Sequence, residues 1–124
     1  MPDISGITME SIPKYFDNVK RTAMLLKPKQ PFFDWLKSID PNDEPNELMK
    51  EGNVFLLPDY DEVKQMENWL KKNFDDIFSD QLNNWYIDEE LWPKNRTLKM
   101  FKEWFYYSLH TMVWDTEDKF IEKV

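Results

Sequence analysis

The chain has no cysteine, two glycines and one histidine among its 124 residues. Without cysteine there is no disulfide framework, no thiolate metal site and no cysteine nucleophile. Gly6 and Gly52 stand far apart, so neither of the familiar glycine-rich phosphate cradles is present. A single imidazole, His110, leaves a histidine-based metal centre with one such ligand. The Gly-x-Ser-x-Gly elbow of serine hydrolases is missing. Apolar runs end after a few residues, far below the roughly 20 needed to cross a bilayer. The opening MPDISGITME lacks the basic start and apolar stretch of a secretory leader. These absences lead us to expect a soluble cytoplasmic chain with no cofactor, no metal centre and no membrane partner.

What is present is charge of one sign and many rings. The net charge is −8, from 24 acidic and 16 basic residues. Such a field repels phosphate backbones, so nucleic acid is a disfavoured partner. The basic exception is KRTAMLLKPK, with Lys20, Arg21, Lys27 and Lys29, which we read as a solvated strand edge. A carboxylate surface imitating DNA ranks last, because acid and base alternate in DEVKQMENWLKKNFDD. Mean hydropathy is −0.74, a value shared with disordered chains. Disordered chains are poor in aromatics, whereas this one holds nine Phe, six Trp and five Tyr. Each large ring buries about 150–250 Å², enough for this length to fill one core.

The pattern along the chain is that of a single α+β domain, a small three-stranded sheet packed with several amphipathic helices. Residues 1–18 read as a loosely ordered arm, with a short helical turn near Tyr15 and Phe16. Residues 19–116 form the domain and 117–124 a frayed or briefly helical tail. Strands are expected at 19–27, 53–58 and 106–114, rich in aliphatic or aromatic side chains and bounded by Pro or Gly. The first two, joined through a helix, suit a parallel pair with a right-handed crossover, although the long intervening loop also permits the opposite direction. Helices are expected from Pro31 to Asp40, briefly at 47–50, over 61–86 and at 98–105 after Thr97 as N-cap. In the longest, Val63, Met66, Leu70, Phe74, Ile77, Phe78, Leu82 and Trp85 share one face, with a bend expected near Lys72–Asp75 or Ser79. In the third strand, Tyr107, Leu109, Thr111 and Val113 oppose Tyr106, Ser108, His110, Met112 and Trp114.

Chemistry has few candidates. Asp59, Asp61 and Glu62 form one acidic cluster, Asp88, Glu89 and Glu90 another, with Asp75 and Asp76 between. A helix start accounts for the first and a solvated loop for the second. Ser108 and His110 point the same way, but about 7 Å separates Cα atoms two apart in a strand. We expect His110 half-buried against Asp115 or Glu103. Trp92 and Arg96 suit either a recognition patch, both types being common at hot spots, or a packed loop with Arg96 on Asp88 or Glu89.

The blocks LKPKQPFFDWLKSID, NVFLLPDYD and DDIFSDQLNNWYIDEELWPKNRTLKMFKEWFYYSLHTMVWD resemble a family of small uncharacterised bacterial proteins. The shared order is Lys-Pro-x-x-Pro-Phe, an acidic-led helix, Trp-Pro, Glu-Trp-Phe and a His-containing strand, spanning residues 21–115. The resemblance implies a free-standing bacterial cytoplasmic domain and supplies no catalytic residue. The functional expectation is a non-enzymatic interaction or regulatory domain that binds another protein or itself, the latter as a homodimer. The rival is a small enzyme or ligand-binding protein whose pocket gathers Trp92, Arg96, Glu103 and His110.

Overall fold

The structure, a computed structural model, describes residues 17–44 and 47–124. Among these residues the order is β1 (Asp17–Asn18), β2 (Thr22–Pro28), α1 (Gln30–Ile39), α2 (Glu47–Glu51), β3 (Asn53–Leu57), α3 (Val63–Asn83), a 3-10 turn (Glu89–Leu91), α4 (Leu98–Trp104), β4 (Phe105–His110) and β5 (Trp114–Asp115). The expected α+β class holds. The main sheet runs β3-β2-β4, and β1 pairs with β5 in a separate two-stranded ribbon. Both pairings of β2 are antiparallel, so the parallel crossover does not occur. The chain reverses through α1, a loop and α2, which a right-handed parallel unit would not need. The segment holding Lys27 is also the central strand rather than an edge. Its solvated ends are Lys20, Arg21 and Lys29.

Local chemistry explains most element ends. Pro31 lies in the first turn of α1, where its missing N–H costs nothing. The Asp40 N–H closes that helix onto the Leu36 carbonyl, just before Pro41. At the head of α3 the Gln65 side-chain oxygen accepts the Glu62 N–H at 3.0 Å in a reciprocal capping box. Thr97 caps α4, its hydroxyl accepting the Met100 N–H at 3.1 Å. α3 does not divide into two shorter helices at the expected bend: it is uninterrupted from Val63 to Asn83. No Pro or Gly lies within it to break the ladder. Val63 and Trp85, counted on its apolar face, are in fact half-exposed at the two ends.

The third strand is shorter than expected. β4 stops at His110, the chain bends at Thr111, and Trp114–Asp115 pairs with Asp17–Asn18 instead. Two residues assigned to a loose arm are therefore hydrogen-bonded strand, and the Val19 N–H extends the ribbon to the Val113 carbonyl at 2.8 Å. The remainder of that arm, with the turn near Tyr15 and Phe16, lies outside the described residues. Residues 117–124 form neither helix nor strand and are exposed.

One face of the main sheet carries the helices. Met24, Leu26, Leu57 and Phe105 meet Phe32, Trp35 and Leu36 of α1, Met66, Leu70, Ile77, Phe78 and Leu82 of α3 and Phe101 of α4. Aromatic rings bind these elements together. Phe101 lies edge-on or tilted to Phe78 at 6.0 Å and Phe105 at 5.1 Å, and Phe32 meets Phe105 at 5.4 Å. Such contacts add to area burial. Gly52 enters β3 at φ +83°, where a Cβ would stand 2.2 Å from the Leu26 carbonyl oxygen.

Two outcomes test this packing in urea unfolding. Phe101→Ala should lose about 3–5 kcal/mol. Gly52→Ala should lose more than about 1 kcal/mol, because an L side chain disfavours that φ and β2 blocks its Cβ.

Candidate functional site

Trp92 and Arg96 come together, and each is bonded to other residues of the chain. Trp92 ends the 3-10 turn in extended conformation before Pro93. Its indole N–H donates to the Tyr86 carbonyl at 2.6 Å. Asn95, at φ 55°, then turns the chain so that Arg96 reaches back across α3. Its Nε donates to Asp75 Oδ1 at 2.7 Å and its Nη2 to Asp75 Oδ2 at 3.4 Å and Ser79 Oγ at 3.3 Å. Nη1 donates to the Pro93 carbonyl at 2.9 Å. The guanidinium also lies 5.8 Å from the centre of the Trp92 ring and 6.0 Å from that of Phe78. Arg96 is thus a clasp holding the loop to the helix. The expected pairing with Asp88 or Glu89 is replaced by Asp75, since the left-handed turn at Asn95 aims the side chain at α3.

His110 and Glu103 do not join them. Five steps of strand at about 3.4 Å each place His110 about 17 Å along β4 from Phe105, where α4 ends. Glu103 is exposed on α4. The four side chains therefore do not surround one cavity. His110 is exposed rather than half-buried, and its partner is Ser108, with Oγ 2.8 Å from Nε2. The side chains lean together across the Cα gap. Asp115, expected against the imidazole, accepts the Glu117 N–H at 2.9 Å instead. A working nucleophile pair needs a third group orienting the base and donors for the oxyanion. Among the described residues no third group holds this imidazole.

The acidic clusters have structural duties. Glu62 belongs to the capping box, Asp88 accepts the Glu90 N–H at 3.0 Å, and Asp75 holds Arg96. Among the described residues no three His, Cys, Asp or Glu side chains converge as metal ligands. None of their helices is long and apolar enough to cross a membrane.

Two tyrosines are tuned by carboxylates. Lost hydration raises the Tyr107 hydroxyl above its ordinary value, helped by the charge of Glu67 and a hydrogen bond to it at 3.2 Å. Tyr86 is raised by lost hydration, then by its 3.0 Å bond to Asp43 and the charges of Asp43 and Asp40. Both bonds tie distant segments, α3 to β4 and the loop after α1 to the end of α3.

Two surfaces escape sequence reasoning. The first is the sheet face without helices. Register places Leu56, Ala23 and His110 in one row, Val54, Leu25 and Ser108 in the next, then Lys27 beside Tyr106. Val54 is 67% exposed, Leu56 48% and Tyr106 52%. The alternation in β4 is visible in the sequence, but its neighbours across the sheet are not. The second is a cavity of about 280 Å³ beside the end of the sheet, lined by Phe32, Met49, Asn53, Gln81, Asn84 and Trp85 with Pro28. Its carboxamides come from separate segments and carry no spacing signal. No family model, curated protein or solved structure matches the chain.

Arg96→Ala should lose about 1–2 kcal/mol, because ring packing goes with the charge. Asp75→Asn should lose less than about 1 kcal/mol, its carboxylate being largely in water. Urea unfolding of both singles and the double measures the coupling. Stability should also fall above pH 10. A raised folded pKa favours the neutral phenol, so the contribution is intact below the unfolded value of 10.0 and is lost as pH rises through the folded value. Tyr107→Phe should flatten that decline in urea melts taken across the alkaline range.

Proposed function

We propose that this chain is a non-enzymatic interaction domain that pairs with a second copy of itself through the sheet face that carries no helices. The observation that carries the reading is the composition of that face. Val54, Leu56, Leu25 and Tyr106 form an apolar field across three strands around the buried Ala23, with no helix above it and with Ile121 and Lys123 of the tail beside Leu56. Contiguous apolar surface rimmed by polar groups marks association. Although the chain has 24 acidic residues, no carboxylate lies in the rows of that face, so two copies of it meet without the repulsion their net charge creates elsewhere. A two-fold axis would set each row of Val54 and Leu56 against its counterpart, as sheets pack face to face about 10 Å apart.

The structural engagement of Arg96 and the lack of a group orienting His110 among the described residues support the non-enzymatic part. Arg96 donates from all three guanidinium nitrogens, and among the described residues His110 has only Ser108. The resemblance to small bacterial proteins extends the proposal to a free-standing cytoplasmic domain, with nucleic acid disfavoured by charge.

Light scattering on a sizing column should give a dimer at micromolar concentration. Val54→Asp combined with Leu56→Asp should weaken it at least tenfold while leaving the circular dichroism spectrum unchanged. A wild-type monomer across the accessible concentration range would defeat the proposal, as would a dimer indifferent to both substitutions.

A further inference from the structure

We infer that the cavity at the end of the sheet binds an uncharged planar heterocycle of the nucleobase or nucleoside class. It lies on the helix-bearing side, away from the association face, and its argument is independent. The end of β2, the starts of α1 and β3, helix α2 and the last turn of α3 supply the walls, enclosing about 280 Å³. That is close to the lower limit of ordinary small-ligand pockets, which suits one ring system with a small substituent.

The lining is divided by chemistry. Phe32, Met49, Pro28 and Trp85 give apolar and aromatic surface, while Asn53, Gln81 and Asn84 give three carboxamides. A carboxamide both donates and accepts, so it matches the adjacent donor and acceptor edges of a base. Trp85 is 42% exposed at the mouth, placed to offer a flat face for stacking.

Gln81 points most directly to a ligand. It is only 7% exposed, in a position that helical spacing would assign to an aliphatic side chain. Its described partner is Asn53, whose Nδ2 donates to Gln81 Oε1 at a long 3.4 Å. No buried side-chain polar atom among the described residues lacks a partner or solvent. Among the described residues no acceptor meets the Gln81 N–H₂ group, and Gln81 lines the cavity.

Charge narrows the class. Among the described residues no ionisable side chain lines the cavity, so a phosphate or an ammonium group would lose hydration there without a counter-ion from them. A smaller adjoining recess shares Met49 and Trp85 and carries Asp43 and Glu44. Those carboxylates disfavour a phosphate at the mouth as well. The same base should accordingly bind as the free base or nucleoside and bind less well as the monophosphate.

Calorimetry on the full chain with adenine, guanine, cytosine and uracil, and with the corresponding nucleosides and monophosphates, tests this inference. At least one base or nucleoside should bind at sub-millimolar concentration, with its monophosphate weaker by tenfold or more. Asn53→Ala and Trp85→Ala should each weaken binding at least tenfold, whereas Tyr106→Ala on the association face should not change it. Fold integrity of each variant is read from its urea midpoint. Absence of binding by every base and nucleoside up to millimolar concentration overturns the inference. Preference for the monophosphates, or affinity unchanged in both cavity variants, does so equally.

Discussion

The fold depends on one meeting point, where β2 passes into α1 and α4 passes into β4 at the same end of the sheet. Pro28 pairs with Phe105 there, and the Lys29 N–H continues the ladder to the Trp104 carbonyl at 2.8 Å. Two helices are thereby forced to leave the sheet side by side, and the space between them must be filled by large side chains. Phe32, Trp104 and Phe105 fill it from the strand ends, and Phe78 approaches from α3 at 5.4 Å from Trp104 and 5.3 Å from Phe105. Rings are suited to this task because each covers a large area with few rotatable bonds. The aromatic wealth of the chain is in large part the consequence of that geometry.

The same rings organise the irregular segment after α3. The Trp35 indole donates to the Leu91 carbonyl at 2.9 Å, and Trp92 donates to Tyr86. Tryptophan here does two jobs, presenting apolar area to the core and an N–H to a backbone carbonyl that helix and sheet leave unpaired. Arg96 completes the attachment from outside. A connection without regular structure can then be held on the surface by donors that originate in the core.

Local chemistry was readable in the sequence and long-range pairing was not. Thr97 and Pro31 mark helix starts because their constraints act within a turn. Met66, Leu70, Ile77, Phe78 and Leu82 reveal the buried face of α3 because helical period is a local property. The face alternation of Tyr106, Tyr107 and His110 follows for the same reason. By contrast, Asp75 lies 21 positions from Arg96, and nothing near either residue selects that pairing over Asp88 or Glu89. Strand direction between β2 and β3 depends on how the loop after α1 returns, which composition does not encode. Trp69 lies beside the helical stripe rather than within it, yet it packs partly on the core. A ring reaches sideways beyond the width that its Cα position implies.

Gln81 sharpens the distinction between architecture and function. A core filled for stability alone would place an aliphatic residue there, because burying a carboxamide without full hydrogen bonding costs free energy. Asn53 returns only part of that cost, through one long bond. Leu82, the next residue, is fully buried in the ordinary way, so the helix has no general difficulty in filling its inner face with carbon. A stable polar position next to Phe32 and Trp85 is therefore a local departure from the rule that governs the rest of the interior. The Arg96 clasp, also polar, shows what a purely structural solution looks like in this chain: each guanidinium nitrogen donates to a fixed acceptor. Gln81 has one long bond to Asn53 among the described residues and lines a cavity, and that contrast within one molecule, rather than the cavity's size, is the strongest reason to assign the two groups different roles.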